Sequence, residues 1–344
     1  MIGSLIDYLR LLNKLKTYHD NFQNTGIHNL NDIENIILLI KKCGSVAIKF
    51  TQWIIPKLEI MYCEKNEKPE WLTRLEILYE DCDHHDLEYT QNLYFKTFNK
   101  QVHDEYEIID VLGSGSIAQV YLIKDKNTNE NKVMKIIHPN TRREILNFHK
   151  IFKFIFCFPC IRKKIHTILP FDLNEFIISF YKQCSFIEEA NNLLYYKCLY
   201  KKNKYLIIPD LYVVSEDILI MSYENGESFD TIQFSEYNYD KTISILVAFI
   251  NENLLYNNYS HGDLHKGNWK IKNEDNIYKI IIYDFGFCFS TREKSDVVND
   301  IHDIIELYDT NNKTDCEYNK LFSIFKKSVT NSTDEIIKNY MDLH

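Results

Sequence analysis

The chain has 344 residues, 45% of them hydrophobic and 26% charged, with a formal net charge of -9. Such a composition belongs to a globular protein able to bury a large core, and the acidic balance argues against general nucleic-acid affinity. The 9 cysteines, odd in number and scattered, read as free thiols of a reducing, intracellular compartment, and no apolar run approaches a membrane span or a secretory core.

Residues 1–105 are expected to form a helical extension, with residues 2–12 amphipathic around Asp7 and Arg10. Residues 107–112 then lead as a strand into Gly113-Ser114-Gly115-Ser116, and residues 117–124 resume a strand pattern that contains Val120. A strand, glycine turn and strand fits a loop folded over nucleotide phosphates, although a glycine pair alone also fits an ordinary hairpin. After a polar turn at 125–131, residues 132–138 form a third strand. Lys135 lies inside it, where a kinase lysine reaches the α and β phosphates.

Residues 151–161, followed by Arg162, Lys163 and Lys164, combine aromatics with a basic edge, which suits either a helix packed on the lobe or contact with a bilayer. Cys157 and Cys160 make a C-x-x-C with no second pair at zinc spacing. Residues 207–214 and 218–223 read as two more strands. Met221 opens the link to Gly226 that would offer backbone groups to adenine. The offsets of Ile243, Leu246, Val247, Ile250 and Leu254 predict a helix with one apolar face running into the next segment.

That segment, HGDLHKGNWKIKNEDNIYKIIIYDFG at 261–286, carries the chemistry. Asp263 and Asn268 are spaced so that one loop presents a carboxylate to orient a nucleophile and an amide to hold a metal. Asp284 follows an apolar run that reads as a buried strand delivering a second metal-binding carboxylate. Phosphoryl transfer needs this set, because it calls for positioning and charge neutralisation more than covalent help. His261 is expected to buttress the loop. His265 stands four residues on, but a loop containing Gly262 does not present a helical metal-binding pair.

These parts resemble the UbiB (aarF-type) atypical kinases associated with coenzyme Q biosynthesis, over roughly residues 40 to 290. Lys49-Phe50-Thr51-Gln52 is similar to the family's KxGQ signature. Residues 113–120, GSGSIAQV, are similar to its alanine-rich loop, Glu189-Ala190-Asn191-Asn192 to its EAxN stretch, and HGDLHKGN and YDFG to its HADPHPGN and IDFG. Three departures stand out. Gly113 and Gly115 replace alanines, and glycine's access to positive φ would make the loop more like that of ordinary kinases. Thr51 replaces the signature glycine. Gln183-Cys184-Ser185 occupies the place of an acidic ExD motif that pairs with the signature lysine in the family.

The resemblance implies an α+β, two-lobed protein-kinase-like fold: an extension at 1–105, an N-lobe at 106–226 with a helical insertion at about 140–200, and a helical C-lobe at 227–344. It implies ATP and Mg2+ as cofactors. Lys135 would hold phosphates, paired with Glu189 or with its rival neighbour Glu188, and only the EAxN match favours Glu189. Asn268 and Asp284 would hold the metal and Asp263 would orient the acceptor. Gly113, Ser114, Gly115, Ser116, Val120, Met221, Lys49 and Gln52 would surround the nucleotide. Partners would be ATP and a lipid or membrane surface, with a cytoplasmic or peripheral-membrane location. Two other readings stand beside this one: an aminoglycoside- or choline-kinase-like phosphotransferase, and a catalytically silent nucleotide-binding scaffold.

Overall fold

The computed structural model describes residues 2–62, 68–79, 84–157, 173–229, 231–232, 236–274 and 277–290, with positions 319 and 323. The chain opens with helices α1 (Ile2–Thr25), α2 (Leu30–Cys43) and α3 (Ser45–Tyr62). In α2, Ile33, Ile36, Ile37 and Ile40 recur at three- and four-residue spacing and form its buried stripe. Asn29 caps its first turn by accepting the Asn31 N–H. Gly44 ends it at φ +91°, a conformation that favours glycine, and so α3 starts at once in a new direction. Short helices α4 (Glu70–Leu75), α5 (Leu87–Phe98) and α6 (Val102–Glu105) complete the extension.

The sheet follows: β1 (Tyr106–Ser114), β2 (Ala118–Asp125) and β3 (Asn131–Ile137). Between it and the next strands come α7 (Thr141–Phe156), α8 (Leu173–Gln183) and α9 (Phe186–Leu199), and then β4 (Leu206–Ile207), β5 (Leu211–Val214) and β6 (Ile218–Ser222). The antiparallel order is β1-β2-β3-β6-β5. β3 is central and buried on both faces from Lys132 to Ile137, which places Lys135 opposite Val120 on one side and Leu219 on the other.

Past the hinge, α10 (Glu236–Glu252) ends in a π turn at Asn253–Asn257. Short strand β7 (Tyr259–His261) follows, and then β8 (Trp269–Glu274), β9 (Ile277–Ile282) and β10 (Cys288–Ser290). β4 and β8 flank β9, and β10 pairs with β7. The two pairings hold the loop 262–268 against the loop 283–287, because each strand end delivers one of them. The architecture is α+β and protein-kinase-like, a five-stranded antiparallel lobe joined to a second lobe that carries the loops.

Several expectations need correction. The single strand at 207–214 is two, because Pro209 lacks the N–H that a continuous ladder requires. The buried face of α10 is centred on Thr242, Phe249 and Asn253, while Val247 and Ile250 stay exposed. Asn253 sets that rotation: its side-chain amide donates to the Phe249 carbonyl and to the Tyr200 hydroxyl. Neither Gly113 nor Gly115 adopts a positive φ, and an added Cβ would meet nothing at the first and only Ala118 O at 3.8 Å at the second. The loop's glycines therefore do not use the freedom that sets glycine apart, and alanine fits both places. Cys160, the basic cluster 162–164 and almost all of 291–344 lie outside the described residues. Among the described residues no helix is long and apolar enough to cross a membrane.

Gly226, at the hinge, is different. A Cβ there would lie 2.6 Å from Ile281 Cδ1 and 2.9 Å from Lys270 Cβ, between β8 and β9. Gly226→Ala is expected to destabilise the protein by about 1–3 kcal/mol through overpacking. Urea denaturation measures it, and a midpoint equal to that of the parent counts against the close approach.

Candidate active site

One cavity of about 440 Å³ opens between the lobes. Its roof is the 112–118 turn with Val120. Lys135 and Glu189 line its back, Asp263, His265, Gly267, Asn268, Asp284 and Gly286 its floor, and Lys49, Gln52 and Gln183 its side. Of the residues expected around a nucleotide, all but Met221 meet here. Met221 is buried in the sheet, paired with Val133 and Leu211, and does not line the cavity.

At the back, Lys135 Nζ donates to Glu189 Oε1 at 2.6 Å and lies 3.4 Å from Asp284 Oδ1. Glu188 is exposed, one residue along the helix, so the geometry separates the two candidates for the ion pair. Two carboxylates thus share one ammonium in a poorly solvated place. Burial pushes Glu189 up to about 7, with Lys135 pulling it down and Asp284 adding to the rise. Burial works against the Lys135 charge too, but Asp284 and Glu189 overcome it and hold the ammonium above the usual lysine range. Burial also raises Asp284, and Lys135, Lys49 and His261 outweigh it, so the carboxyl lies well below the usual carboxylate range.

The strain has a pH signature. A carboxyl whose folded pKa exceeds its unfolded value of 4.5 contributes stability that is full below that value and is lost as pH rises through about 7. Relative to Glu189→Gln, the ligand-free parent is therefore expected to lose stability between roughly pH 5 and pH 8. Paired urea titrations at the two pH values check this, and a stability difference that does not change with pH contradicts it.

The apolar run before Asp284 is a buried strand, with Ile280, Ile281 and Ile282 inaccessible, and the carboxylate follows it into the cavity. β9 stops at Ile282, and Asp284 sits in the turn beyond it at φ +54° with its side chain 44% exposed toward the cavity. Asp is among the few residues that tolerate this backbone region, and Gly286 N–H donates to Asp284 Oδ1 at 3.3 Å. His261 braces the turn from below: its Nε2–H donates to Tyr283 O at 3.0 Å, and its Nδ1 accepts the Asp263 N–H at 3.2 Å. Burial lowers its pKa, in keeping with this neutral tautomer. Asn268 Nδ2 donates to Asp263 O at 2.7 Å, which turns its Oδ1 to the opposite end of the amide. An ionised carboxylate and an amide oxygen on one cavity floor make the hard-oxygen donor set that suits magnesium.

The extension closes the side. Lys49 Nζ lies 3.0 Å from Asp263 Oδ2, so the signature lysine on α3 pairs with the carboxylate of the 261–268 loop. Gln52 Nε2 donates to Leu78 O at 2.6 Å, and its Oε1 accepts Ser116 Oγ at 3.4 Å, which ties the roof to the extension. Gln183 lines the same cavity, whereas the Ser185 hydroxyl faces Glu216 Oε2 at 3.1 Å. Of the two positions that replace the acidic pair, one lines the cavity together with Lys49 and the other does not line it.

Sequence reasoning passed over Tyr259. Its hydroxyl donates to Asn192 Oδ1 at 2.6 Å, and Asn192 Nδ2 donates to Phe285 O at 2.8 Å. Its own carbonyl accepts the Tyr196 hydroxyl at 2.8 Å. A tyrosine two residues before His261 carries no signal of this role, which arises only when α9 packs on β7.

A family model described as the ABC1 atypical kinase-like domain matches residues 77–317. A protein named as a probable serine/threonine-protein kinase, abkC, from Dictyostelium discoideum is 29% identical over 244 residues, covering 69% of this chain and 34% of that one. The mitochondrial ABC1 family protein C21C3.03 of Schizosaccharomyces pombe is 23% identical over 324 residues (78% and 44%), and the ABC1 family protein MCP2 of Saccharomyces cerevisiae is 24% identical over 241 residues (63% and 41%). The chain thus spans less than half the length of the curated relatives it matches. Among solved structures, the complex of Rv3197 with erythromycin from Mycobacterium tuberculosis aligns at TM-score 0.47 and 14% identity, over 70% of this chain and 59% of that one. The Rio2 kinase-ADP/Mg2+-phosphoaspartate complex from Chaetomium thermophilum aligns at TM-score 0.37 and 11% identity, over 86% and 94%. With its family model covering well over half the sequence and its loops assembled as described, the chain belongs to the ABC1 atypical kinase-like family, the UbiB (aarF-type) group that its motifs resemble.

Proposed function

We propose that this chain is an ATP-dependent kinase or ATPase acting on a small or lipid-like acceptor, built as an extension at 1–105, an N-lobe at 106–226 and a C-lobe at 227–344. The observation that carries the reading is the convergence of Lys135, Asp263, Asn268 and Asp284 on one cavity under a phosphate-loop-like turn. Lys135, held by Glu189, would grip the nucleotide phosphates. Asn268 and Asp284 would hold magnesium, which supplies neutralisation of charge on the transferring oxygens. Asp263 would orient the acceptor or accept its proton, once released from Lys49.

The acceptor class follows from α3. Its Lys49 stands on Asp263, so a peptide lying along the second lobe would meet α3 where its hydroxyl must enter. A compact acceptor suits such a site. Along α1, Ile6, Leu9, Leu12 and Leu15 are all exposed, apolar side chains that support approach to a lipid surface. ATP turnover by the pure protein, with and without anionic lipid vesicles, tests the reading, and turnover is expected to need magnesium. Phosphorylation of unrelated peptides is expected to be absent. Efficient phosphorylation of such peptides would overturn the assignment of a small acceptor, and no ATP turnover in any condition would overturn the enzymatic reading itself.

A further inference from the structure

Behind the roof of the cavity lies a run of hydrogen bonds that the nucleotide reading does not use. His85 Nδ1 and His138 Nδ1 are 2.8 Å apart. The far nitrogen of His138, Nε2, is 2.9 Å from Gly115 O and 3.2 Å from Ser114 Oγ. The far nitrogen of His85 is 2.9 Å from Thr90 Oγ, which is itself 2.8 Å from the Tyr121 hydroxyl. Gln119 Nε2 reaches that hydroxyl at 2.6 Å.

The direction of these bonds is fixed from both ends. At the blind end, Gln119 Oε1 accepts the His85 backbone N–H at 2.9 Å, so its amide nitrogen must face Tyr121. The Tyr121 hydroxyl is then free to donate to Thr90 or, at 3.5 Å, to His85 Nε2, and a hydroxyl donating to His85 Nε2 suits either arrangement. His85 carries its proton on Nδ1 and gives it to His138 Nδ1. At the loop end, the Gly115 carbonyl can only accept, which requires the proton of His138 on Nε2. The two ends demand the same tautomers, and every bond is made with both rings neutral. Burial, followed by the neighbouring His138, pushes His85 down to about 4, which keeps it neutral around pH 7.

The geometry points to His138 as a positioning residue for nucleotide phosphates, with His85 orienting it from behind. The backbone N–H of His138 also donates to Ile117 O at 2.8 Å, so one residue holds the turn at two carbonyls. A trans peptide sets its C=O and N–H on opposite sides. With the Gly115 carbonyl drawn toward His138, the Ser116 N–H of the same peptide is turned away from it, and Ser116 lines the cavity while His138 does not. Backbone N–H groups so presented are what a phosphate-binding turn needs. The inference rests on the nucleotide reading above and adds to it the residue that aims the loop.

Dissociation constants for magnesium-ATP and for adenosine, measured on the full chain at neutral pH, separate this role from a structural one. His138→Phe keeps the ring shape and removes the donor, and it is expected to weaken ATP about tenfold while leaving adenosine within about twofold. His138→Gln, which can still offer an N–H to Gly115 O, is expected to return ATP affinity to within about threefold of the parent. His85→Phe is expected to give an intermediate loss on ATP alone, and it carries the same test should His138→Phe fail to fold. Equal losses for both ligands, no loss, or a glutamine variant no better than phenylalanine would overturn the assignment. A parent that binds no ATP would instead overturn the nucleotide reading and this inference with it.

Discussion

Asp284→Asn is expected to abolish the magnesium-dependent rise in Tm that ATP produces in the parent. Ligand at about 100 times its dissociation constant stabilises a protein by about 2.7 kcal/mol, which in a chain of this size is a shift of roughly 4 °C. The substitution is clean for local reasons. Asn tolerates the positive φ at this position, and its carbonyl oxygen can accept the Gly286 N–H as the carboxylate does. What disappears is the negative charge that the surroundings hold ionised, and with it the charge proposed to hold the metal. Ligand-free stability is expected to fall little, because Lys135 keeps Glu189 and the pair no longer shares its ammonium with a second carboxylate. Differential scanning fluorimetry with magnesium or with EDTA reads both quantities. A full ATP shift in the variant would remove Asp284 from the metal site.

Lys49→Ala is expected to raise ATP turnover by roughly tenfold. The Lys49–Asp263 pair is partly buried, with side chains 14% and 29% exposed, and hydrogen bonds between charged groups of this kind contribute about 1.5–3 kcal/mol. In the proposed mechanism Asp263 exchanges that partner for an acceptor or water, so the pair would sit in the ground state and not in the transition state. A contribution of about 1.4 kcal/mol removed there gives the tenfold change. Gln183→Glu tests the same contact from the other direction. A carboxylate on the cavity wall beside α3 should hold the extension more firmly and lower turnover, and Lys49→Ala in that background should restore it. Ser185→Asp is expected to add nothing, because Ser185 already faces the carboxylate of Glu216. Equal turnover in the parent, Lys49→Ala, Gln183→Glu and the combined variant would show that α3 does not gate the site.

The parts legible in the sequence are those whose chemistry is local. Asp263 and Asn268 share one loop, and Asn268 is held by the Asp263 carbonyl, so a short motif contains its own geometry. Strands β1 to β3 are likewise written in residues that alternate or run apolar between turn signals. Glu189 is different, because in the sequence only the EAxN match sets it apart from Glu188, and it takes the packing of α9 to bury one and expose the other. The face of α10 was obscured for a related reason: Thr242 and Asn253 are polar by composition yet buried by their side-chain bonds, so an apolar count picks the wrong rotation. The paired histidines are least legible of all. Their contact joins positions 53 residues apart, and its meaning depends on tautomers set by Gln119 and Gly115.

Glu189 and Asn192 lie one turn apart on α9, and they grip different lobes. The first holds Lys135 of the sheet, and the second holds the Phe285 carbonyl and the Tyr259 hydroxyl of the second lobe. The helix is thus a rivet driven through the joint. Any movement that swung the lobes apart as rigid halves would have to shear a buried ion pair or a pair of buried amide hydrogen bonds, each costly in a poorly solvated place. In the proposed cycle, exchange of a spent nucleotide for a fresh one would therefore fall to the parts that the rivet does not clamp, the roof turn and α3, and its pace would be a property of their small, local excursions and not of a gaping cleft.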